Sequence, residues 1–241
     1  MIKIDNISKS FDGKKVLNDF SLTVKEADRI AIIGRSGCGK STILKLLLGF
    51  EKPDSGNIWI DNQKVNTLPP KELRDIRHKI GLLFQSSALF DFMTVGENVG
   101  FALRETKNPL PESKIRRIVK EKLDLVEMSD SEFKLPGELS GGQRKRIGLA
   151  RALANEPKIM LYDEPTTGLD PILSTSIENL IIKLSDQLHV TSIVITHQWS
   201  TMLRTADTIH FLADGNLRKP VTPANIKQSK DPFIRSFMKK V

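Results

Sequence analysis

The sequence predicts an α/β fold built around a phosphate-binding loop, and three observations predict it. The β-branched run Arg29 to Ile33 leads directly into Gly34-Arg35-Ser36-Gly37-Cys38-Gly39-Lys40-Ser41-Thr42 and then into an apolar helical pattern ending near Leu48. A second apolar run, Ile159-Met160-Leu161-Tyr162, ends on the carboxylates Asp163 and Glu164 before Pro165. Further strand patterns alternate with helical ones, as the chain of an α/β domain requires.

Size and composition agree with one large domain. The 241 residues are 39% hydrophobic and 27% charged, which excludes disordered and fibrous classes. No run approaches the roughly 18 uncharged apolar residues that a bilayer span needs. The start, Met1-Ile2-Lys3-Ile4-Asp5, lacks the apolar core of a signal peptide, so the chain is expected to stay in the compartment where it is made. The single cysteine, Cys38, allows no internal disulfide and reads as a small residue packed into the loop. With 37 basic and 29 acidic residues the net charge is +8. Part of it crowds the C-terminal tail, at Arg218, Lys219, Lys227, Lys230, Arg235, Lys239 and Lys240. Aromatics are not interleaved among these cations, so no nucleic-acid partner is expected.

Taken in order, the first sixty residues alternate short apolar runs with the turn signals Asp12-Gly13 and Asp54-Ser55-Gly56, which predicts antiparallel strands at the edge of a mixed sheet. The strand, glycine loop and helix over residues 29–48 follow. Past Pro109, the residues Ile115, Ile118, Val119, Leu123 and Val126 recur at helical spacing, which predicts a helical insertion over residues 88–152. Strands return at 158–162, 191–195 and 208–212. Between the first two lies a helix with Ile177, Leu180, Ile181, Leu184 and Leu188 on one face, which predicts a right-handed crossover.

The glycine loop fits G-x-x-x-x-G-K-S between a strand and a helix. Glycines let backbone N–H groups turn toward phosphate oxygens, Lys40 reaches the terminal phosphates, and Ser41 offers a hydroxyl to Mg2+. Asp163 and Glu164 leave a strand at its C-terminal end, and alternation along a strand would point them to opposite sides and so to different tasks. Ser140-Gly141-Gly142 before the helical run from Gln143 builds a second anion-accepting helix N-terminus with a hydroxyl beside it.

Leu139-Ser140-Gly141-Gly142-Gln143, placed between a complete phosphate loop and a carboxylate pair, makes nearly the whole chain resemble the ATP-binding subunit of an ABC transporter. The resemblance implies a P-loop NTPase with a RecA-like core, an antiparallel β edge subdomain and a helical signature subdomain. Residues 1–87 and 153–215 would form the core with its β subdomain, 88–152 the helical subdomain, and 216–241 a basic tail. ATP and Mg2+ would be the cofactors. Asp163 would hold Mg2+ through water, Glu164 would polarise the attacking water, and His197, after Thr196, would meet the γ-phosphate. Gln85 would be the glutamine that reaches Mg2+ or water. Phe11 would stack on adenine, where tyrosine is commoner; a core role is the alternative. Ser140, Gly141, Gly142 and Gln143 would serve ATP bound by a second copy, arranged head to tail, with Asp170 of Gly168-Leu169-Asp170 crossing that interface.

The stretch Gln85-Ser86-Ser87-Ala88-Leu89-Phe90, continuing through Met93-Thr94-Val95-Gly96-Glu97-Asn98-Val99, is similar to the ATPases of Mce-type lipid transporters. So are Asp163 to Ile172 and the tail segment Asp231-Pro232-Phe233-Ile234-Arg235-Ser236-Phe237, although Ser87 stands where glycine is usual and the tail's alternative is a frayed basic helix. The expectation is an ATPase peripheral on the cytoplasmic face of the inner membrane. It would drive a separate integral-membrane permease that moves phospholipid or a related lipid, with a lipid-binding component engaged indirectly. Leu89, Phe90, Phe92 and Met93 would offer the permease a socket. Alternatives are the ATPase of a polar-solute importer, a soluble ABC ATPase, and a purely regulatory nucleotide-binding module.

Overall fold

The computed structural model describes residues 1–106 and 108–238; Lys239 and Lys240, counted in the basic tail, lie outside the described residues. Two compact units form, Met1–Arg77 with Thr191–Val241, and His78–Val190. The first unit begins with β1 (Ile2–Phe11), β2 (Lys14–Val24), β3 (Arg29–Ile33), α1 (Lys40–Leu47), β4 (Ser55–Ile60), β5 (Gln63–Lys64) and α2 (Pro70–His78). The second contains β6 (Ile80–Leu83), α3 (Val95–Arg104), α4 (Glu112–Leu125), α5 (Gly141–Leu153), β7 (Ile159–Asp163) and α6 (Pro171–Leu188). The first resumes with β8 (Thr191–Thr196), α7 (Trp199–Thr205), β9 (Thr208–Ala213), β10 (Asn216–Leu217) and α8 (Pro232–Met238). Among the described residues no helix is long and apolar enough to cross a membrane.

In the first unit the Asp12-Gly13 turn signal makes the β1–β2 hairpin. Both residues have positive φ, 49° and 77°, as a tight two-residue hairpin turn requires, and Phe11 pairs with Lys14 across it. Ile2 and Ile4 are buried while Lys3 between them is exposed, the period of a strand with one face on a core. The expected antiparallel edge of a mixed sheet is not what forms: β1, β2, β4 and β5 make their own four-stranded sheet in the order β2-β1-β4-β5. The reason is that β1 spends both its edges on antiparallel partners, β2 and β4. The antiparallel addition to the parallel strands is instead the two-residue β10, paired with β9.

β3 lies between β8 and β9, parallel to both. Ala31, Ile32 and Ile33 have no exposed surface, the continuous apolar run of a strand covered on both faces. Ala31, Ile33, Met202, Phe211, Ile226 and Ile234 share one cluster, against which Phe233 and Phe237 pack. The tail is thus not a frayed helix: α8 buries Ile234, and the Asp231 carboxylate caps it by accepting from the Phe233 amide at 2.8 Å.

In the second unit β6 and β7 pair in parallel, and α3, α4 and α5 pack on one another. Most of each apolar stripe is buried, Ile115, Val119 and Leu123 on α4 and Ile177, Leu180, Ile181 and Leu184 on α6, while Ile118 at the edge of the α4 stripe is half-buried. Leu188 departs, at 38% exposed, because α6 ends there on His189, whose φ of 50° breaks the helix. α3 and α5 both start with reciprocal capping boxes, Thr94 with Glu97 and Ser140 with Gln143.

Candidate functional site

The candidate residues divide between the two units. In the first, the parallel register of β3 with β8 pairs Ile33 with Thr196, so the glycine loop and His197 begin side by side at the C-terminal ends of neighbouring strands. That end of a parallel sheet is where ligands bind in open α/β folds. Arg35, Ser36, Gly37 and Ser41 are exposed, Cys38 and Thr42 are partly covered, and His197 is exposed. Close approach requires two of the glycines: a Cβ on Gly34 would stand 2.8 Å from the Leu212 carbonyl oxygen, and one on Gly39, at φ 105°, would stand 2.8 Å from Val16. Gly37 has open space around it but φ 75°, which glycine adopts without strain.

α1 begins at Lys40 with no side-chain cap and no acid in its first turn, so its positive N-terminal end faces the glycine loop. The Lys40 ammonium donates to the carbonyl oxygens of Gly34 at 2.9 Å and Arg35 at 3.2 Å, which curls the side chain over the loop. Phe11, at the end of β1, is 37% exposed, with the Lys9 ammonium 5.0 Å from its ring centre. A core role for Phe11 is excluded. His210 is structural: burial pushes its imidazole down to about 4, so it stays neutral near pH 7.

In the second unit the register of β6 with β7 pairs Leu83 with Tyr162, which delivers Gln85 and the Asp163-Glu164 pair to the same end. Asp163 is the last residue of β7 and Glu164 lies beyond it, 8% exposed, with φ 48°. Strand alternation therefore does not aim Glu164; a left-handed backbone does. Its carboxylate accepts from the Thr167 hydroxyl at 3.4 Å. Ser87 and Ala88, in the turn after Gln85, are left-handed as well, at φ 64° and 49°. The glycine usual at the Ser87 position would take that conformation freely; a non-glycine residue there stores about 1 kcal/mol or more.

Two residues that the sequence reading did not single out hold these turns. Lys145 on α5 is 4% exposed, and its ammonium donates to the Gln85 carbonyl oxygen at 2.5 Å, with the Phe84 and Glu164 carbonyl oxygens each at 3.5 Å. Burial pushes Lys145 down to about 8, against the pull of Asp163 and Glu164. Arg151, also on α5, donates to the Ala88 carbonyl and lies over the Phe90 ring, 4.7 Å from its centre. The only sequence signal for either was a cation in an otherwise apolar helical stripe.

α5 itself opens at Ser140, exposed, whose hydroxyl accepts from the Gln143 amide at 3.3 Å while the Gln143 side chain accepts from the Ser140 amide at 2.8 Å. Gly141 is partly covered and Gly142 buried. The Asp170 carboxylate caps α6, accepting from the amides of Ile172 and Leu173 at 2.9 Å. Beyond the Gln85 turn, a cavity of about 760 Å³ is lined by Phe92, Met93, Phe101, Val119 and Phe133 together with several glutamates. Phe92 is 78% exposed, as a socket would have it, whereas Phe90 turns inward onto Phe101 at 4.9 Å.

Comparison with known proteins places this geometry. Residues 17–167 match the family model described as ABC transporter. The sulfate/thiosulfate import ATP-binding protein of Gloeobacter violaceus is 38% identical over all of this chain, which spans 68% of that protein. The spermidine/putrescine import ATP-binding protein of Aliivibrio fischeri is 40% identical over 99% of the chain, which spans 62% of that relative. The Arabidopsis thaliana protein trigalactosyldiacylglycerol 3, chloroplastic, is 38% identical over 98% of the chain, which spans 73% of it. Among solved structures, a dimeric post-hydrolysis state of the ATP-binding cassette MJ0796 with ADP and Pi superposes with a TM-score of 0.83 at 35% identity, covering 92% of this chain and 99% of that one. CbiO1 of Clostridium perfringens, described as part of the transporter complex CbiONQ, superposes at 0.87 and 29% identity, covering 99% and 94%.

Proposed function

Since the chain belongs to the ABC transporter family and is an ATPase cassette of it, we propose that two copies bind two ATP molecules between them and drive a separate membrane-embedded permease. The observation that carries this reading is Ser140. The chain has its own phosphate loop at Gly34–Ser41, yet Ser140 opens α5 as a second exposed, capped helix N-terminus with a hydroxyl beside it. A second phosphate cradle on a chain with one ATP site has a use if it serves the ATP of a second copy.

In this reading Lys40 and the loop amides hold the phosphates, Phe11 stacks on the base, and His197 meets the γ-phosphate. Glu164 holds the attacking water and takes up its proton, and Asp170 meets the second copy. Mg2+ fits the donors: the Ser41 hydroxyl, the Gln85 amide oxygen and the Asp163 carboxylate are hard oxygen ligands. Among the described residues no group of three or more His, Cys, Asp or Glu forms an all-protein cage. When bound, Mg2+ would neutralise charge on the phosphates. The cavity beside Phe92 and Phe133, whose aromatic wall is ringed by Glu97, Glu105, Glu132 and Arg116, is the surface offered to the permease.

For the cargo, the names of the import relatives, sulfate/thiosulfate and spermidine/putrescine, favour a polar solute. Lipid is the second reading. It is supported by the segments at residues 85–90 and 231–237 and by the likeness to the Arabidopsis protein whose name carries a glycolipid. The test is to purify the chain with its permease in vesicles, identify bound lipids by mass spectrometry, and measure ATP turnover with and without a solute-loaded binding protein. Stimulation by solute with no retained lipid is expected of the first reading. Retained phospholipid and no response to solute would overturn it in favour of the second.

A further inference from the structure

α5 carries Lys145, Gly148 and Arg151 at intervals of three, which places them along one side of the helix. All three meet the turn that bears Gln85. Lys145 donates to the Gln85 carbonyl at 2.5 Å, Arg151 donates to the Ala88 carbonyl, and Gly148 lies so close that an added Cβ would stand 2.8 Å from Leu83 and 3.2 Å from the Ser87 Cβ. Lys145 reaches a second segment as well, with the Glu164 carbonyl at 3.5 Å. The residues met this way include Ser87, Ala88 and Glu164, all non-glycine residues with left-handed backbones. Such conformations persist only where surrounding contacts hold them.

We propose that this side of α5 is a clasp that holds the Gln85 turn and the Glu164 exit in the backbone geometry hydrolysis needs, with Lys145 as the positioning residue that joins the two. The proposal rests on the reading that Gln85 and Glu164 act on ATP and water. Lys145 suits the task because a buried ammonium has three donors and no acceptor, so it can bind carbonyl oxygens from two segments at once. Gly148 is the bare position that lets the turn approach. Arg151 fixes the far end of the turn through the Ala88 carbonyl and the face of Phe90.

Three variants measured for steady-state ATP hydrolysis and thermal unfolding test the clasp. Lys145→Met keeps the apolar stem and removes the ammonium, and kcat is expected to fall about tenfold or more with KM for ATP changed by less than about threefold. Lys145→Arg, which retains donors, is expected to recover most of the loss. Gly148→Ala, which pushes the turn away without touching a charge, should reproduce the kcat defect, and it decides the matter if Lys145→Met does not fold. A folded Lys145→Met with unchanged kcat, or with a defect in KM alone, overturns the clasp. Glu164→Gln serves as the reference: if it hydrolyses ATP normally the underlying reading of the site has failed, whereas an inactive Glu164→Gln beside fully active clasp variants sinks the clasp alone.

Discussion

Asn98 has no exposed surface, and its side chain is fully used. The two protons of its amide nitrogen are shared among the carbonyls of Phe90, Met93 and Thr94, at 3.0 to 3.1 Å, and its oxygen accepts from the Phe90 amide at 2.8 Å. One residue thus ties the loop after the Gln85 turn to the start of α3. Asn98→Ala should cost about 3 kcal/mol, because several partly buried backbone groups lose their partner at once. A urea titration checks this, and a loss below about 1 kcal/mol would show that the loop finds other partners. Asn98 was legible in the sequence only as part of a resemblance. The glycine loop, Lys40 and Asp163 were legible because their chemistry is written in residue identity and strand position. Lys145, Arg151 and the left-handed Glu164 were not: a cation in a helix does not announce which distant carbonyls it reaches, and positive φ on a non-glycine residue is imposed by tertiary contacts.

Among elements, α5 matters most, since its first turn and its flank face different tasks. The Ser140-Gln143 capping box leaves the serine exposed at the helix N-terminus, where an anion gains from both the hydroxyl and the helix dipole. Ser140→Arg removes the hydroxyl and fills the space with a long cation. It should leave ATP binding by the single chain intact while preventing ATP-dependent dimerisation, as read by sedimentation. Dimers forming as readily as in the parent would contradict the role given to Ser140. Helices with clean apolar stripes, α4 and α6, were readable from spacing alone, and the Asp12-Gly13 hairpin from its turn chemistry. The partition of strands into sheets was not, because apolar alternation says which face is buried and not which neighbour a strand pairs with.

Across the whole molecule, the candidate residues fall in both units of the chain: the first contains the phosphate loop, His197 and Phe11, and the second contains Gln85, Asp163, Glu164 and Ser140. The proposed function draws on all of them and on a second copy. Net charge of +8 adds no specificity to this arrangement, though it favours association with anionic surfaces. If Glu164 activates water for ATP held between two copies, phosphate release by Glu164→Gln, measured together with its mass in ATP, is decisive. A stable ATP-loaded dimer that releases almost no phosphate is expected, and turnover at the parent's rate would refute the role of Glu164.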